Sequence, residues 1–160
     1  MIAFVVRGLP APQGSKSFKG LSGSGRAILV ESSKRVRPWR LAVSDAALGA
    51  RSDAPPLDGP VVLTLAFTLP RPASAAKRPW PHRMPDLSKL QRCVEDAITD
   101  AGLWTDDARV VMSIAVKLYP GQGDLALDSP GVRVAIRPVG PGDRVLAWTE
   151  TSMFTNGGHC

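Results

Sequence analysis

The sequence predicts a single small α/β domain in which two main helices cover a β-sheet. A chain of 160 residues is long enough for one domain with a hydrophobic core and short for two. Residues 60–69 (PVVLTLAFTL) are apolar at both alternating sets of positions apart from Thr64 and Thr68, which is typical of a strand in the middle of a sheet. Residues 33–48 and 86–101 instead repeat apolar side chains every three or four positions, which indicates helices with one buried side.

The N-terminal segment is predicted to form a strand, a basic loop and a second strand. Residues 2–8 are mostly β-branched or aromatic, as in a well-buried first strand. Residues 15–26 (SKSFKGLSGSGR) are rich in Gly, Ser and Lys and have little to bury, so we expect a mobile loop. Its Lys16, Lys19 and Arg26 could close on a phosphate backbone, or the segment could be a solvated hairpin tip. Residues 27–31 suit a second short strand.

The first predicted helix follows and runs to about Leu48. Ser32 or Ser33 can cap it, and Pro38 falls in its first turn or bends it. Its start is basic, which opposes the helix dipole, so we expect the charged residues there to meet phosphates. These residues are Lys34, Arg35, Arg37 and Arg40.

A proline-rich basic loop without regular structure is predicted for residues 70–84. It contains Arg83, which we expect to contact DNA, and Trp80. The indole could stack on a base or pack beneath the loop, and packing is the favoured interpretation.

The second helix is predicted from Asp86 to about Ala101, with Gly102 as its C-terminal stop. Its buried stripe is Leu87, Leu90, Val94, Ala97, Ile98 and Ala101, and Cys93 falls on the same side. Asp86 can cap the helix. Asp106 and Asp107 then lead into a strand over residues 109–119, and residues 131–137 alternate as a last strand. The tail, residues 139–160, is expected to dock loosely and to be partly disordered.

Charge and cysteine content limit the partners and the cellular compartment that we expect. The formal net charge is +6, and residues 1–50 hold eight Lys or Arg against two acids, which suggests a nucleic-acid partner. A basic surface kept for solubility would explain this charge equally well. Two cysteines without a disulfide pattern, and no apolar run long enough to span a bilayer, favour a cytoplasmic protein without a membrane partner.

Six of the 14 acidic residues fall within residues 86–107, which suggests a metal site. Mg²⁺ often takes one or two carboxylates, with water and phosphate oxygens completing its ligands. However, a helix of about 16 residues is roughly 24 Å long, so Asp86 and Asp107 are far apart unless the fold or a second subunit joins them. The alternatives are a helix cap at Asp86 and a simple turn at Asp106-Asp107.

Many residue types agree at fixed spacing with one known pattern: Pro85 to Arg92 (PDLSKLQR), Asp96-Ala97-Ile98, Ala101-Gly102, Trp104 and residues 106–111 (DDARVV). This pattern resembles the signature of RusA-type Holliday-junction resolvases. Residues 8–16 (GLPAPQGSK) also resemble the first strand and basic loop of that family. The resemblance covers roughly residues 2–137, so we expect a RusA-like nuclease domain over residues 1–138.

The resemblance implies a mixed β-sheet with two helices packed on it, in a homodimer that places paired nicks across a four-way DNA junction. It implies Mg²⁺ as the cofactor, with Mn²⁺ as a substitute. Asp86 and Asp107 would be metal-binding catalytic carboxylates, assisted by Asp106, and Arg92 would take the place of the family's basic helix residue near the scissile phosphate.

Ser88 departs from the family pattern because it stands where a second aspartate is expected. Lys89 stands where an asparagine is common, and it would put a positive charge near the phosphate. A hydroxyl is a poor substitute for a carboxylate as a magnesium ligand. The leading hypothesis is therefore a junction-resolving endonuclease, and the alternative is a catalytically impaired protein of the same fold that still binds branched DNA. A third hypothesis is a basic domain whose acidic helix contacts a protein partner.

Overall fold

The chain folds as a mixed four-stranded β-sheet with two α-helices on one face, which confirms the predicted α/β class. The computed structural model describes residues 1–14, 16–21, 23, 27–31 and 34–143. The strands are β1 (Ile2–Arg7), β2 (Lys16–Leu21), β3 (Ala27–Glu31), β4 (Val61–Thr68), β5 (Val110–Leu118) and β6 (Gly131–Pro138), and the helices are α1 (Val36–Arg51) and α2 (Leu87–Asp100). Among these residues, no helix is long and apolar enough to cross a membrane.

The strand order in the main sheet is β1-β6-β4-β5. Strand β6 is antiparallel to both of its neighbours, whereas β4 and β5 are parallel. Strand β4 is therefore paired on both sides, as its largely apolar sequence predicts. Because β1, β4 and β5 run in the same direction, their last residues lie at one end of the sheet. We call this end the carboxyl edge and the opposite end the amino edge.

The hydrophobic core lies between the helices and one face of the sheet. Helix α2 connects two parallel strands, so it runs back across the sheet and begins at the carboxyl edge. Its predicted stripe is buried, as are the strand residues that face it: Leu90, Cys93, Val94, Ala97 and Ile98 from α2, with Leu63, Leu65, Phe67, Val134 and Ile136 from the sheet. The stripe thus fixes the position of both ends of α2 relative to the sheet.

The other face of the sheet carries apolar side chains and has no helix over it in the part of the chain that the structure describes. The register places Val5, Ile114 and Ala66 on this face. Val5, Ile114 and the nearby Leu125 are exposed. A sheet face of this composition normally packs against a second layer.

Helix α2 ends where the sequence predicts. Gly102 adopts φ of +66°, a left-handed conformation that glycine reaches without strain. The chain then turns inward, so that Trp104 is buried and its Nε1 donates a 2.7 Å hydrogen bond to Thr99 Oγ1. Residues 104 and 57 form an isolated parallel bridge beside the amino edge.

Two predictions near the N-terminus need correction. Residues 16–21 form strand β2, antiparallel to β3, where a mobile loop was expected. Backbone pairing with β3 places residues 16–21 in a strand, although their Gly-, Ser- and Lys-rich sequence did not predict one. Helix α1 begins at Val36 with Arg35 as its N-cap, so no serine caps it. Ser32, Ser33 and residues 144–160, which hold most of the predicted loose tail, lie outside the described residues.

Candidate active site

Asp86 is the N-cap of α2 and lies at the carboxyl edge. Its side chain makes no capping hydrogen bond, contrary to one of the interpretations of the sequence. Its nearest charged partner is Lys89, with Nζ 3.4 Å from Oδ2, and both side chains are almost half exposed. A pair of this kind contributes little to stability. The carboxylate is therefore open to solvent and able to take a cation or a phosphate-bound ion.

The segment in front of Asp86 is held by Lys117, near the end of β5. Lys117 Nζ donates to the backbone oxygens of Arg83 at 2.9 Å and Pro85 at 3.0 Å. On the other side, the backbone N–H of Gln13 donates to Lys89 O at 2.8 Å. The end of β5 and the segment after β1 thus fix the backbone on either side of Asp86, which preorganises the carboxylate.

Two predicted site residues, Lys89 and Arg92, share the solvent side of the first turns of α2 with Ser88. Ser88, Lys89 and Arg92 are all exposed, and residues 88 and 92 are one helical turn apart on the same face. Arg92 forms no ion pair within the described part of the chain. A phosphate approaching Asp86 would meet this cationic face.

Asp106 and Asp107 lie at the amino edge. Asp107 begins a short 3₁₀ turn, Asp107–Arg109, and Asp106 caps it, with Oδ1 accepting from the Ala108 N–H at 2.7 Å. Both aspartates are exposed. Arg109 extends the other way and pairs with Asp58 at 2.6 Å. Asp106 is therefore partly committed to the turn, whereas Asp107 is not.

The fold does not bring Asp86 and Asp107 together within one chain. Lys117 marks the end of β5 beside Asp86, and Val110 follows directly after the turn that holds Asp107. The seven residue steps between them cover about 23 Å at 3.3 Å per residue. Helix α2, with 14 residues, gives a similar length of about 21 Å. The expected obstacle to a site within one protomer is confirmed.

The sequence predicts that Glu95, Asp96 and Asp100 are mainly solvated helix surface, but all three contact other side chains. Arg40 on α1 donates to Asp100 at 2.6 Å and lies 3.4 Å from Asp96. The hydrogen bond to Asp100 is the main cause that raises the pKa of Arg40 above its ordinary value. Glu95 accepts from Gln91 at 2.8 Å. Arg40 therefore joins the two helices. The prediction that it meets phosphate is not supported by these contacts.

The predicted DNA-binding residues are found in different places. Lys34 is exposed just before α1, and Arg83 lines a cleft at the carboxyl edge. Lys16 and Lys19 belong to strand β2, and Arg26 lies outside the described residues. Trp80 is 53% exposed, so the favoured interpretation that it packs beneath the loop is wrong.

The cleft and its anchors were not predicted. It has a volume of about 590 Å³ and lies between residues 9–12, the loop after β4 and Pro85. Arg35 joins its lining from the start of α1. One signal in the sequence pointed to Lys117: it is the charged residue in the run from Val110 to Leu118. In the structure its position is paired with the buried Phe67.

Comparison with known proteins now bears on this geometry. No curated protein matches the chain. The model of the family described as Endodeoxyribonuclease RusA matches residues 8–137, which include both ends of α2, the carboxyl-edge loops and all of β5. This match covers most of the chain and confirms the resemblance found in the sequence. The chain therefore belongs to the RusA endodeoxyribonuclease family.

Proposed function

We propose that the chain is a divalent-metal-dependent endonuclease that resolves four-way junctions or related branched DNA by paired nicks, acting as a homodimer. Membership of the RusA family supports endonuclease action on branched DNA. The exposed cationic side of α2 beside Asp86 supports a phosphate substrate. We assign this activity to residues 1–138.

Asp86 and Asp107 would share one metal ion only if two protomers contribute. Among the described residues, no three His, Cys, Asp or Glu side chains are close enough to hold an ion together. Mg²⁺ accepts one or two carboxylates when water and phosphate oxygens complete its shell. Asp86 of one protomer and Asp107 of the partner subunit would meet this requirement. When bound there, Mg²⁺ or Mn²⁺ would supply an activated water and neutralise the charge that develops on the phosphate.

The distance between Asp86 and Asp107 is the observation that carries this proposal. The two carboxylates occupy opposite ends of β5, about 23 Å apart. A twofold axis perpendicular to β5 would reverse the strand in the second copy. Each Asp86 would then lie at the same end as the partner's Asp107, and the dimer would hold two equivalent sites.

The uncovered sheet face supports such a dimer. Val5, Ile114 and Leu125 are exposed there, beside a shallow depression of about 280 Å³. Apolar faces of this kind are normally buried in an interface. A second copy on this face would bury these side chains and could bring opposite edges of two sheets together.

Around each composite site we assign supporting roles to neighbouring residues. Arg92 and Lys89 would contact the scissile phosphate, because they extend from the same turns that Asp86 begins. Arg92 stays charged at any ordinary pH, so its role would be to bind and orient the phosphate without proton transfer. Asp106 would orient the turn that presents Asp107, through its bond to the Ala108 N–H.

The test is cleavage of a synthetic four-way junction and of a linear duplex of the same sequence, with Mg²⁺ or Mn²⁺ and with neither. We expect metal-dependent cutting of the junction and little cutting of the duplex. Asp86→Asn and Asp107→Asn should abolish cutting and keep junction binding. Asp45→Asn, which changes an exposed aspartate on α1, is the matched control and should cut normally. Equal cutting of both DNAs would rule out junction selectivity.

Ser88 motivates a second candidate function, which is binding of branched DNA without efficient cleavage. Its exposed hydroxyl stands where the family pattern has a carboxylate, and no cluster of three metal-ligating side chains replaces it among the described residues. In that case the native protein would bind a junction and leave it intact, and Ser88→Asp would create metal-dependent cutting. Cutting by the native protein at a rate that Ser88→Asp does not raise would dispose of this alternative.

A further inference from the structure

The cleft at the carboxyl edge is formed by three loops that meet in front of Asp86. Residues 9–12 after β1 form one wall, the loop after β4 forms the opposite wall, and Pro85 and Tyr119 complete it. Its volume of about 590 Å³ lies within the usual range for a small-molecule site. Pro85 lines the cleft, so one side of the cleft lies one residue from Asp86.

The cleft is preformed. Six prolines line it: Pro10, Pro12, Pro70, Pro72, Pro81 and Pro85. Hydrogen bonds tie the long loop to itself and to its surroundings, since Arg78 Nη2 donates to Ser74 O at 2.7 Å and Gln122 Nε2 donates to Pro79 O at 2.8 Å. Restricted backbones and fixed loops reduce the entropy that a ligand must overcome on binding.

The lining combines an apolar floor with a cationic rim. Ala11, Leu69 and Tyr119 are buried and form the floor. Arg35, Arg78 and Arg83 belong to the same lining, in which no acidic residue takes part. An apolar surface suits the face of a nucleobase, and guanidinium groups suit the phosphate that follows it. The cleft is thus complementary to a single nucleotide.

We propose that the cleft binds one unstacked nucleotide at the branch point of the DNA and so selects branched over linear substrates. The inference rests on the proposed function because it takes branched DNA as the substrate. In a linear duplex every base is stacked on both sides, and extracting one is unfavourable. At a branch point the stack is already interrupted, so a nucleotide can enter the cleft at a smaller cost. The nucleotide would then hold its strand next to Asp86.

Binding is tested without divalent metal, so that no cutting is required. A junction that carries 2-aminopurine beside the branch point is titrated with protein, and the linear duplex with the same label serves for comparison. Fluorescence should rise on binding to the junction, because the labelled base leaves the stack, and should stay constant for the duplex. No rise with the wild-type protein at any of the branch-point positions would overturn the proposal.

A matched pair of variants tests the cleft itself. Leu9 lines the cleft and is 44% exposed, and Leu48 on α1, outside the lining, is 51% exposed. Leu9→Glu places a carboxylate in the cleft, whereas Leu48→Glu makes the same change of charge elsewhere. We expect Leu9→Glu to lose the fluorescence rise and about ten-fold of the preference for junction over duplex, and Leu48→Glu to keep both.

The outcomes separate this inference from the proposed function. A protein that cuts junctions but gives no fluorescence rise would refute the cleft and leave the nuclease assignment standing. A protein that gives the fluorescence rise but never cuts would refute the nuclease assignment and leave the cleft's role in binding standing. A Leu9→Glu protein with an unchanged melting curve that keeps the signal and the preference would also refute the role of the cleft.

Discussion

Two inactive variants of this protein should restore each other's activity. In the composite arrangement, a heterodimer of Asp86→Asn and Asp107→Asn places both substitutions in one of its two sites. The other site keeps Asp86 from one subunit and Asp107 of the partner subunit. Both homodimers lack an intact site, so all cutting by a mixture must come from the heterodimer.

The magnitude of the effect follows from geometry and symmetry. Oxygen ligands of one Mg²⁺ ion lie about 2.1 Å from it, hence no more than about 4 Å from each other. The length of β5 between Lys117 and Val110, about 23 Å, exceeds this separation several-fold. If subunits exchange at random in an equal mixture, half of the dimers are heterodimers and each has one intact site of two. Cutting should then recover to about a quarter of the wild-type rate.

The assay uses a heterodimer purified through two different affinity tags, together with both homodimers purified in the same way. With a junction labelled on two opposite strands, the heterodimer should nick one strand and yield few resolved duplexes, because only one of its sites works. The wild-type dimer should nick both. A heterodimer as inactive as its parents, yet bound to the junction, would show that the carboxylates do not act in pairs across the interface.

The remaining predictions concern stability. Lys117→Met removes both hydrogen bonds that Lys117 Nζ donates to the loop leading into α2, and we expect it to lower the free energy of unfolding by about 1–3 kcal/mol in urea titrations. An unchanged midpoint would contradict the role of Lys117 as an anchor. Gly131→Ala would force a methyl group into the backbone oxygen of Val6 and should cost about 1–3 kcal/mol, whereas Gly59→Ala, which meets no atom within 4 Å, should leave the midpoint unchanged. Arg137 donates a hydrogen bond to Asp143 and lowers the pKa of the Asp143 carboxyl from 3.8 to about 2. The stabilisation of the fold by this pair is therefore complete above about pH 5 and is lost as the pH falls toward 2. The difference in melting temperature between wild type and Asp143→Asn should accordingly be constant near neutral pH and change between pH 4 and 2, and a difference that does not vary with pH would refute the assignment.

Sequence patterns predicted the sheet and helices because burial imposes a period on them. Strand β4 is apolar at nearly every position since it is paired on both sides and covered by α2. The second helix shows a stripe that ends at Gly102, and both features reappear in the structure. Strand β2 had no such signal in its Gly-, Ser- and Lys-rich sequence, and the structure shows it only through its backbone pairing with β3.

The candidate site was harder to predict for a different reason. Family resemblance indicated Asp86 and Asp107, but the pairing that would make them one site depends on a second protein copy. The cleft depends on three loops that lie far apart in the sequence, from residues 9–12 to Tyr119. Lys117 anchors a loop more than thirty positions earlier, a contact that no local pattern contains.

Division of each carboxylate pair between two subunits would couple cutting to assembly. A monomer holding Asp86 at one edge and Asp107 at the other cannot bring both to one ion, because the rigid β4-α2-β5 unit keeps them about one strand length apart. Formation of the dimer would complete both sites at once, and twofold symmetry would present them to two strands of opposite direction. A four-way junction offers such strands in symmetric pairs, and a single nick leaves the junction unresolved. The same separation that prevents a site within one protomer would therefore favour the paired nicks that resolution requires.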